Sequence, residues 1–105
     1  EQGSIYLLHS EFVSIGNNFS DCTVESNGGL LYAFASQLYI NDTVFKNGEA
    51  GDSGGGLFLF DSESIFYGTT FAHNTAGSNG GGLYVTGTQF VYFYHCTFAW
   101  NYATV

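Results

Sequence analysis

The chain has 105 residues with nine acidic side chains, one lysine and no arginine, giving a formal charge of −8 and a pI near 4.2. Binding to nucleic acid or to an anionic membrane surface needs several cationic side chains on one face, and Lys46 alone cannot make that face. At 45% hydrophobic and 19% aromatic residues the chain is too apolar for a disordered acidic tail, and its length permits one domain.

Fifteen glycines with no proline is an odd balance for an ordinary globular domain, and it suggests turns built to one repeating plan. No run of 18 apolar residues offers a membrane-spanning helix, and no basic-then-apolar leader opens the chain. A first residue of Glu1 and a lack of methionine are read as a processed chain or an excerpt of a longer one.

The apolar runs recur in chain order. Ile5 heads the first, Leu30 the second, Leu57 the third and Leu83 the fourth, at spacings of 25, 27 and 26. Phe45-Lys46-Asn47-Gly48-Glu49-Ala50 followed by Gly54-Gly55-Gly56-Leu57 returns as Phe71-Ala72-His73-Asn74-Thr75-Ala76 followed by Gly80-Gly81-Gly82-Leu83. Phe98-Ala99-Trp100-Asn101-Tyr102-Ala103 begins the same pattern again. Four coils of roughly 26 residues account for the sequence, at approximately 3–26, 27–53, 54–79 and 80–105.

Within a coil, short runs such as Leu38-Tyr39-Ile40, Ile65-Phe66-Tyr67 and Val91-Tyr92-Phe93 are rich in β-branched, aliphatic and aromatic residues and are bounded by Gly, Asn, Asp and Ser, while no window carries a helical period. The expectation is an all-β protein, a right-handed parallel β-helix (β-solenoid) with three short strands per coil and uncapped ends. Glycines before Leu57 and Leu83 mark a repeated corner. Asn47, Asn74 and Asn101 are expected to form an asparagine ladder at one turn, with Cys22 in the matching place of the first coil.

These residues resemble the polymorphic outer membrane protein repeats of microbial surface proteins, with their alternating FxxN and GGx signatures. The resemblance rests on Phe71-Ala72-His73-Asn74 with Gly81-Gly82-Leu83, on Phe98-Ala99-Trp100-Asn101, and on the looser Val44-Phe45-Lys46-Asn47 with Gly55-Gly56-Leu57. It covers about three quarters of the chain and departs from the family in having Leu where Ala is usual. It implies an extracellular or cell-surface right-handed β-helix serving adhesion or a structural purpose.

Several local patterns have ordinary structural explanations. Gly51-Asp52-Ser53-Gly54-Gly55 matches the surroundings of a serine-protease nucleophile, yet Gly77-Ser78-Asn79-Gly80-Gly81 occupies the same turn one coil later. A polysaccharide lyase would have only Lys46 as base, and a hydrolase only the diffuse group Asp61, Glu63 and Glu11, which read as solvated charges. His9, His73 and His95 fall in different columns without metal-ligand spacing, and neither a catalytic residue nor a metal site nor a cofactor is expected. Thr69-Thr70 and Thr86-Gly87-Thr88 do not repeat as an ice-binding array would. Cys22 and Cys96 lie three strand spacings apart, about 14 Å, too far for a disulfide between them.

Three features concern modification and partners. Asn41-Asp42-Thr43 and Asn18-Phe19-Ser20 are N-glycosylation triplets, with Asn41 the better candidate. If Leu57, Leu59, Leu83 and Val85 point inward, Tyr6, Leu31, Phe58 and Tyr84 form an exposed apolar column suited to a lateral contact or a sugar. No cap is visible at either end, and running Val105 into Glu1 places Asn101 nine residues before Ile5, as Asn74 precedes Leu83. The sequence therefore reads as a non-enzymatic extracellular or cell-surface structural protein. Its units stack head to tail into a fibre or stalk, as a homo-oligomer or polymer, with glycans at Asn41 or Asn18. The alternative is an adhesin-like surface module that binds glycans or a host protein, and the minor one a polysaccharide lyase or hydrolase.

Overall fold

A computed structural model describes residues 5–87 and 90–104. The first coil comprises β1 (Ile5–Leu8), β2 (Glu11–Ile15), β3 (Asn18–Ser20) and β4 (Thr23–Val24). The second comprises β5 (Leu31–Phe34), β6 (Gln37–Asn41), β7 (Val44–Lys46) and β8 (Glu49–Ala50). The third comprises β9 (Leu57–Phe60), β10 (Glu63–Tyr67), β11 (Thr70–Ala72) and β12 (Thr75–Ala76). The fourth comprises β13 (Leu83–Thr86), β14 (Val91–Tyr94), β15 (Thr97–Ala99) and β16 (Tyr102–Ala103).

Like strands stack in parallel into four sheets: β1-β5-β9-β13, β2-β6-β10-β14, β3-β7-β11-β15 and β4-β8-β12-β16. Each coil thus has four strands rather than the expected three. The fourth is only two residues long, as in Glu49–Ala50, too short to show an alternation in the sequence.

The coil closes because its corners are left-handed. His9, Ala35 and Asp61 have φ of 50 to 53°, Asp42 and His95 have 52 and 55°, and Asp21, Asn47, His73 and Trp100 have 57 to 63°. Asn, Asp and His tolerate this region best among residues with a side chain, which explains why all three histidines sit at corners. At the corner of Gly54 (φ 71°) and Gly80 (φ 64°) a Cβ would lie 2.4 and 2.5 Å from the carbonyl oxygens of Leu57 and Leu83, so only glycine fits. Even corner amides pair with the adjacent coil: Ala35 N–H donates to Phe60 O at 2.9 Å and Asp42 N–H to Tyr67 O at 2.9 Å. A proline at such a place would remove a bond from the stack.

The register is 26 residues through the first three coils, pairing Ile5 with Leu31 and Leu31 with Leu57. Leu31, not Leu30, therefore heads the second coil. In the fourth coil Thr86 pairs with Phe60 but Val91 with Ser64, so one extra residue lies between Thr86 and Val91. The core is a set of columns: Leu31 and Leu57; Ala33 and Leu59; Ile40 and Phe66; Phe45 and Phe71, all inaccessible to solvent.

Polar columns line the corners. Ser36 N–H donates to Ser62 Oγ at 3.0 Å and Ser10 N–H to Ser36 Oγ at 3.1 Å, while the Ser36 and Ser62 hydroxyls donate to Phe34 O and Phe60 O. Thr43 and Thr69 are fully buried, each donating to the carbonyl two residues earlier. This serine ladder recurs every 26 residues in the sequence.

Candidate functional site

The asparagine position is defined by the phenylalanine column, because Phe19, Phe45, Phe71 and Phe98 pair in register. Three residues further on lie Cys22, Gly48, Asn74 and Asn101. The ladder therefore has two asparagines, and the expectation for Asn47 is corrected by one residue. Asn47 is an exposed corner residue whose Nδ2 donates to Asp21 Oδ1 at 3.1 Å.

Asn74 is fully buried and satisfied: its Oδ1 accepts from Gly48 N–H at 2.8 Å, and its Nδ2 donates to Phe45 O at 3.1 Å and to Asn101 Oδ1 at 3.0 Å. Asn101 repeats the pattern, donating to Phe71 O at 2.8 Å and accepting from Asn74 N–H at 3.0 Å.

Each asparagine lies over a glycine of its own coil. A Cβ on Gly56 would come within 3.1 Å of Asn74 Nδ2, and one on Gly82 within 3.0 Å of Asn101. The second coil inverts the pair. Leu30 occupies the glycine position and is 2% exposed, and Gly48 makes room for it, since a Cβ there would lie 2.6 Å from Leu30 Cγ. A large residue thus moves from one side of the contact to the other at nearly constant filling.

The expected apolar column is also shifted in one coil. Tyr6, Tyr32, Phe58 and Tyr84 pair in register on the outer face of the first sheet, whereas Leu31 points inward and is fully buried. On the opposite face of the same sheet Leu57 and Leu59 are inaccessible, Leu83 is half-buried and Val85 is 37% exposed. The rings stack at centroid distances of 4.9, 5.0 and 5.2 Å, which leaves Phe58 only 9% exposed. Tyr6, at 63%, is freely exposed, whereas Tyr32 and Tyr84 are half-buried.

The remaining candidates are dispersed. Asn18 is exposed, whereas Asn41 is half-buried at the end of β6 and its triplet partner Thr43 is fully buried, which reverses their expected order as folded-state acceptors. Glu11, Gln37 and Glu63 do form one column, with the amide between the carboxylates, and Asp61 sits at a corner. Ser53 lies 6% exposed in its turn, with its N–H donating to Asn27 Oδ1 at 2.9 Å and its hydroxyl to Asp52 Oδ1 at 3.4 Å. Lys46 ends β7 and is exposed. Cys22 and Cys96 are half-buried thiols with no bond between them, and Cys96 donates to Phe66 O at 3.4 Å. Thr88 lies outside the described residues, as do Glu1–Ser4 and Val105 of the head-to-tail junction. Among the described residues no three His, Cys, Asp or Glu side chains are placed to hold a metal ion.

In the fourth coil the core-facing side chains have a neighbouring coil on one side and are more exposed than the residues they pair with. Phe98 is 48% exposed where Phe45 and Phe71 in its column are at zero, and Phe93 is 41% exposed above a fully buried Phe66. Val85, Trp100 and Tyr102 add 37%, 79% and 63%. Trp100 lies over His73 with ring centroids 6.2 Å apart and planes 8° apart.

Stacked parallel coils, left-handed corners and columns of like residues define a β-solenoid. A family model described as a right-handed β-helix region matches residues 4–98, and the chain belongs to that family. No curated protein and no solved structure matched the chain.

Proposed function

We propose that this chain is an extracellular, non-enzymatic structural protein whose coils continue end to end into a fibre or stalk. The observation that supports this reading is that columns of like residues run through all four coils, Phe19, Phe45, Phe71 and Phe98 stacking at 5.3, 5.3 and 4.6 Å, so that a further coil can extend them. Covering half of a phenylalanine side chain is worth about 2 kcal/mol, and Phe93 and Phe98 would each gain it under a further coil. Strand edges of β13 to β15 would gain backbone partners at the same time.

The first coil has the matching pattern. Continuing the register by one coil sets Tyr6 over Tyr84, Phe19 over Phe98, Ile5 over Leu83, and the small Ser14 over Phe93. The stacks that end at Tyr84 and Phe98 would thereby each gain a further ring at a spacing like the 4.6 Å between Phe71 and Phe98. Such head-to-tail contacts do not close, so they propagate.

The extracellular placement rests on the resemblance to the repeats of polymorphic outer membrane proteins. Asn74 and Asn101, packed on Gly56 and Gly82, supply a physical reason for the paired FxxN and GGx signatures. In the second coil the equivalent residue is Gly48, so the resemblance is carried by two coils. Glycans at exposed Asn18 would decorate the side of such a fibre without blocking its ends.

A surface module that binds glycans or a host protein is the second reading, favoured by the exposed tyrosines. Electron microscopy of the purified chain across a concentration series separates the two. Filaments a single solenoid wide, or end-to-end oligomers, support the structural reading. Monodisperse particles that bind saturably on a glycan array support the second.

A further inference from the structure

The outer face of the second sheet differs from the other three. Its two central outward rows are Val13-Tyr39-Ile65-Tyr92 and Ile15-Asn41-Tyr67-Tyr94, set by the pairing of β2, β6, β10 and β14. Val13, Ile15, Tyr39, Tyr67, Tyr92 and Tyr94 are between 37% and 64% exposed. By contrast, the aromatic column of the first sheet covers itself down to 9% at Phe58.

Neither row contains a charged side chain, although the chain carries −8. The acids Glu11 and Glu63 form a separate row along the strand starts. The rings are already held against each other: Tyr67 and Tyr94 lie 4.7 Å apart, Tyr39 and Tyr67 6.0 Å, and Tyr92 and Tyr94 6.4 Å. Little side-chain entropy remains to be lost when such a face is covered.

We propose that this face is where a second copy of the chain docks, sheet against sheet, about a two-fold axis running along the solenoid. Area supports this occupant. Six side chains of ~150–230 Å², exposed to this degree, present roughly 550 Å² in one patch. Two such faces bury about 1,100 Å² before the rims are added, which reaches the range of specific interfaces.

Charge selects the axis. A two-fold axis along the strands would lay the glutamate row of one copy on that of the other. An axis along the solenoid instead lays Glu11-Gln37-Glu63 over the Ile15-Asn41-Tyr67 row of the second copy, setting Glu63 against the Tyr67 hydroxyl, which can donate to it, and the Gln37 amide against that of Asn41. This contact is lateral and does not depend on end-to-end stacking.

Sedimentation velocity tests it on a chain carrying Phe98→Lys, which places a charge in the open cross-section and leaves the lateral face intact. The expected result is a species of twice the 11.4 kDa chain mass. Its population rises between about 0.05 M and about 0.5 M salt, because screening reduces repulsion between like-charged copies. Adding Tyr39→Glu with Tyr67→Glu should weaken the dimer at least about tenfold with an unchanged circular dichroism spectrum. A monomer at all concentrations, a dimer indifferent to the two glutamates, or a monomer that instead captures polylysine or a glycan would overturn the proposal. If Phe98→Lys does not fold, filament width in electron microscopy replaces mass. Paired filaments that become single on Tyr39→Glu/Tyr67→Glu support the proposal, and widths that do not change contradict it.

Discussion

The third and fourth coils repeat several residues at paired positions, Phe66 with Phe93 and Phe71 with Phe98 among them, yet these have different environments. Phe66 and Phe71 are inaccessible in the third coil, while Phe93 and Phe98, their partners in the fourth, are 41% and 48% exposed. A residue in a solenoid is buried by the coils on either side of it as much as by its own coil. The same side chain therefore contributes more to stability between two coils than beside one.

The largest expected break in this comparison comes from truncating an interior and a terminal member of one column. Phe71→Ala should cost about 4 kcal/mol by denaturant unfolding, since it opens a cavity between two coils, whereas Phe98→Ala should cost under about 1.5 kcal/mol. Equal costs would mean that the fourth coil is covered in solution.

The asparagines extend the contrast to polar groups. Asn74→Ala leaves the Gly48 N–H and the Phe45 carbonyl without their partner inside the stack, and should destabilise by about 3 kcal/mol. Asn101→Ala, in the open coil where water can substitute, should cost about half as much.

The second coil offers a sharper test through its inverted pair. Gly48→Asn alone should destabilise by about 2–3 kcal/mol, because the new side chain meets both the Gly55 carbonyl oxygen, which cannot give way easily, and Leu30. Adding Leu30→Gly should recover roughly half of that loss, making the second coil resemble the third. Thermal unfolding of the two single variants and the double variant gives the coupling as a double-mutant cycle.

The smallest effect concerns Ser64, 1% exposed, whose hydroxyl has no hydrogen-bond partner. Ser64→Ala should be neutral or stabilising by up to about 1 kcal/mol, since its column also accepts Leu38 and Val91. A loss of stability greater than that would point to a partner for the hydroxyl.

The fold was legible because stacking forces like residues into columns, so the period of 26 shows directly in Leu57 and Leu83 or in the glycine corners. The coarse strand alternation was equally plain in β6, β10 and β14. A one-residue slip in the second coil was not. Leu30 stands beside Leu31, and Asn47 beside Gly48, so either neighbour satisfies the pattern. The extra residue between Thr86 and Val91 also makes 27 look as good a spacing as 26 in that half of the repeat.

The candidate site was less legible than the fold, for a physical reason. Exposure of Phe93 and Phe98 depends on what lies above the last coil, and that is absent from their local sequence. The self-covering of the first sheet and the openness of the second depend likewise on ring packing between coils. Alternation cannot distinguish a stacked tyrosine column from an open one.

Mass as a function of concentration shows whether the coils of separate chains stack end to end. Sedimentation of the 105-residue chain should show species growing beyond two chains as concentration rises, with Phe98→Lys arresting growth at one or two chains. A single species of 11.4 kDa at every concentration would contradict end-to-end stacking.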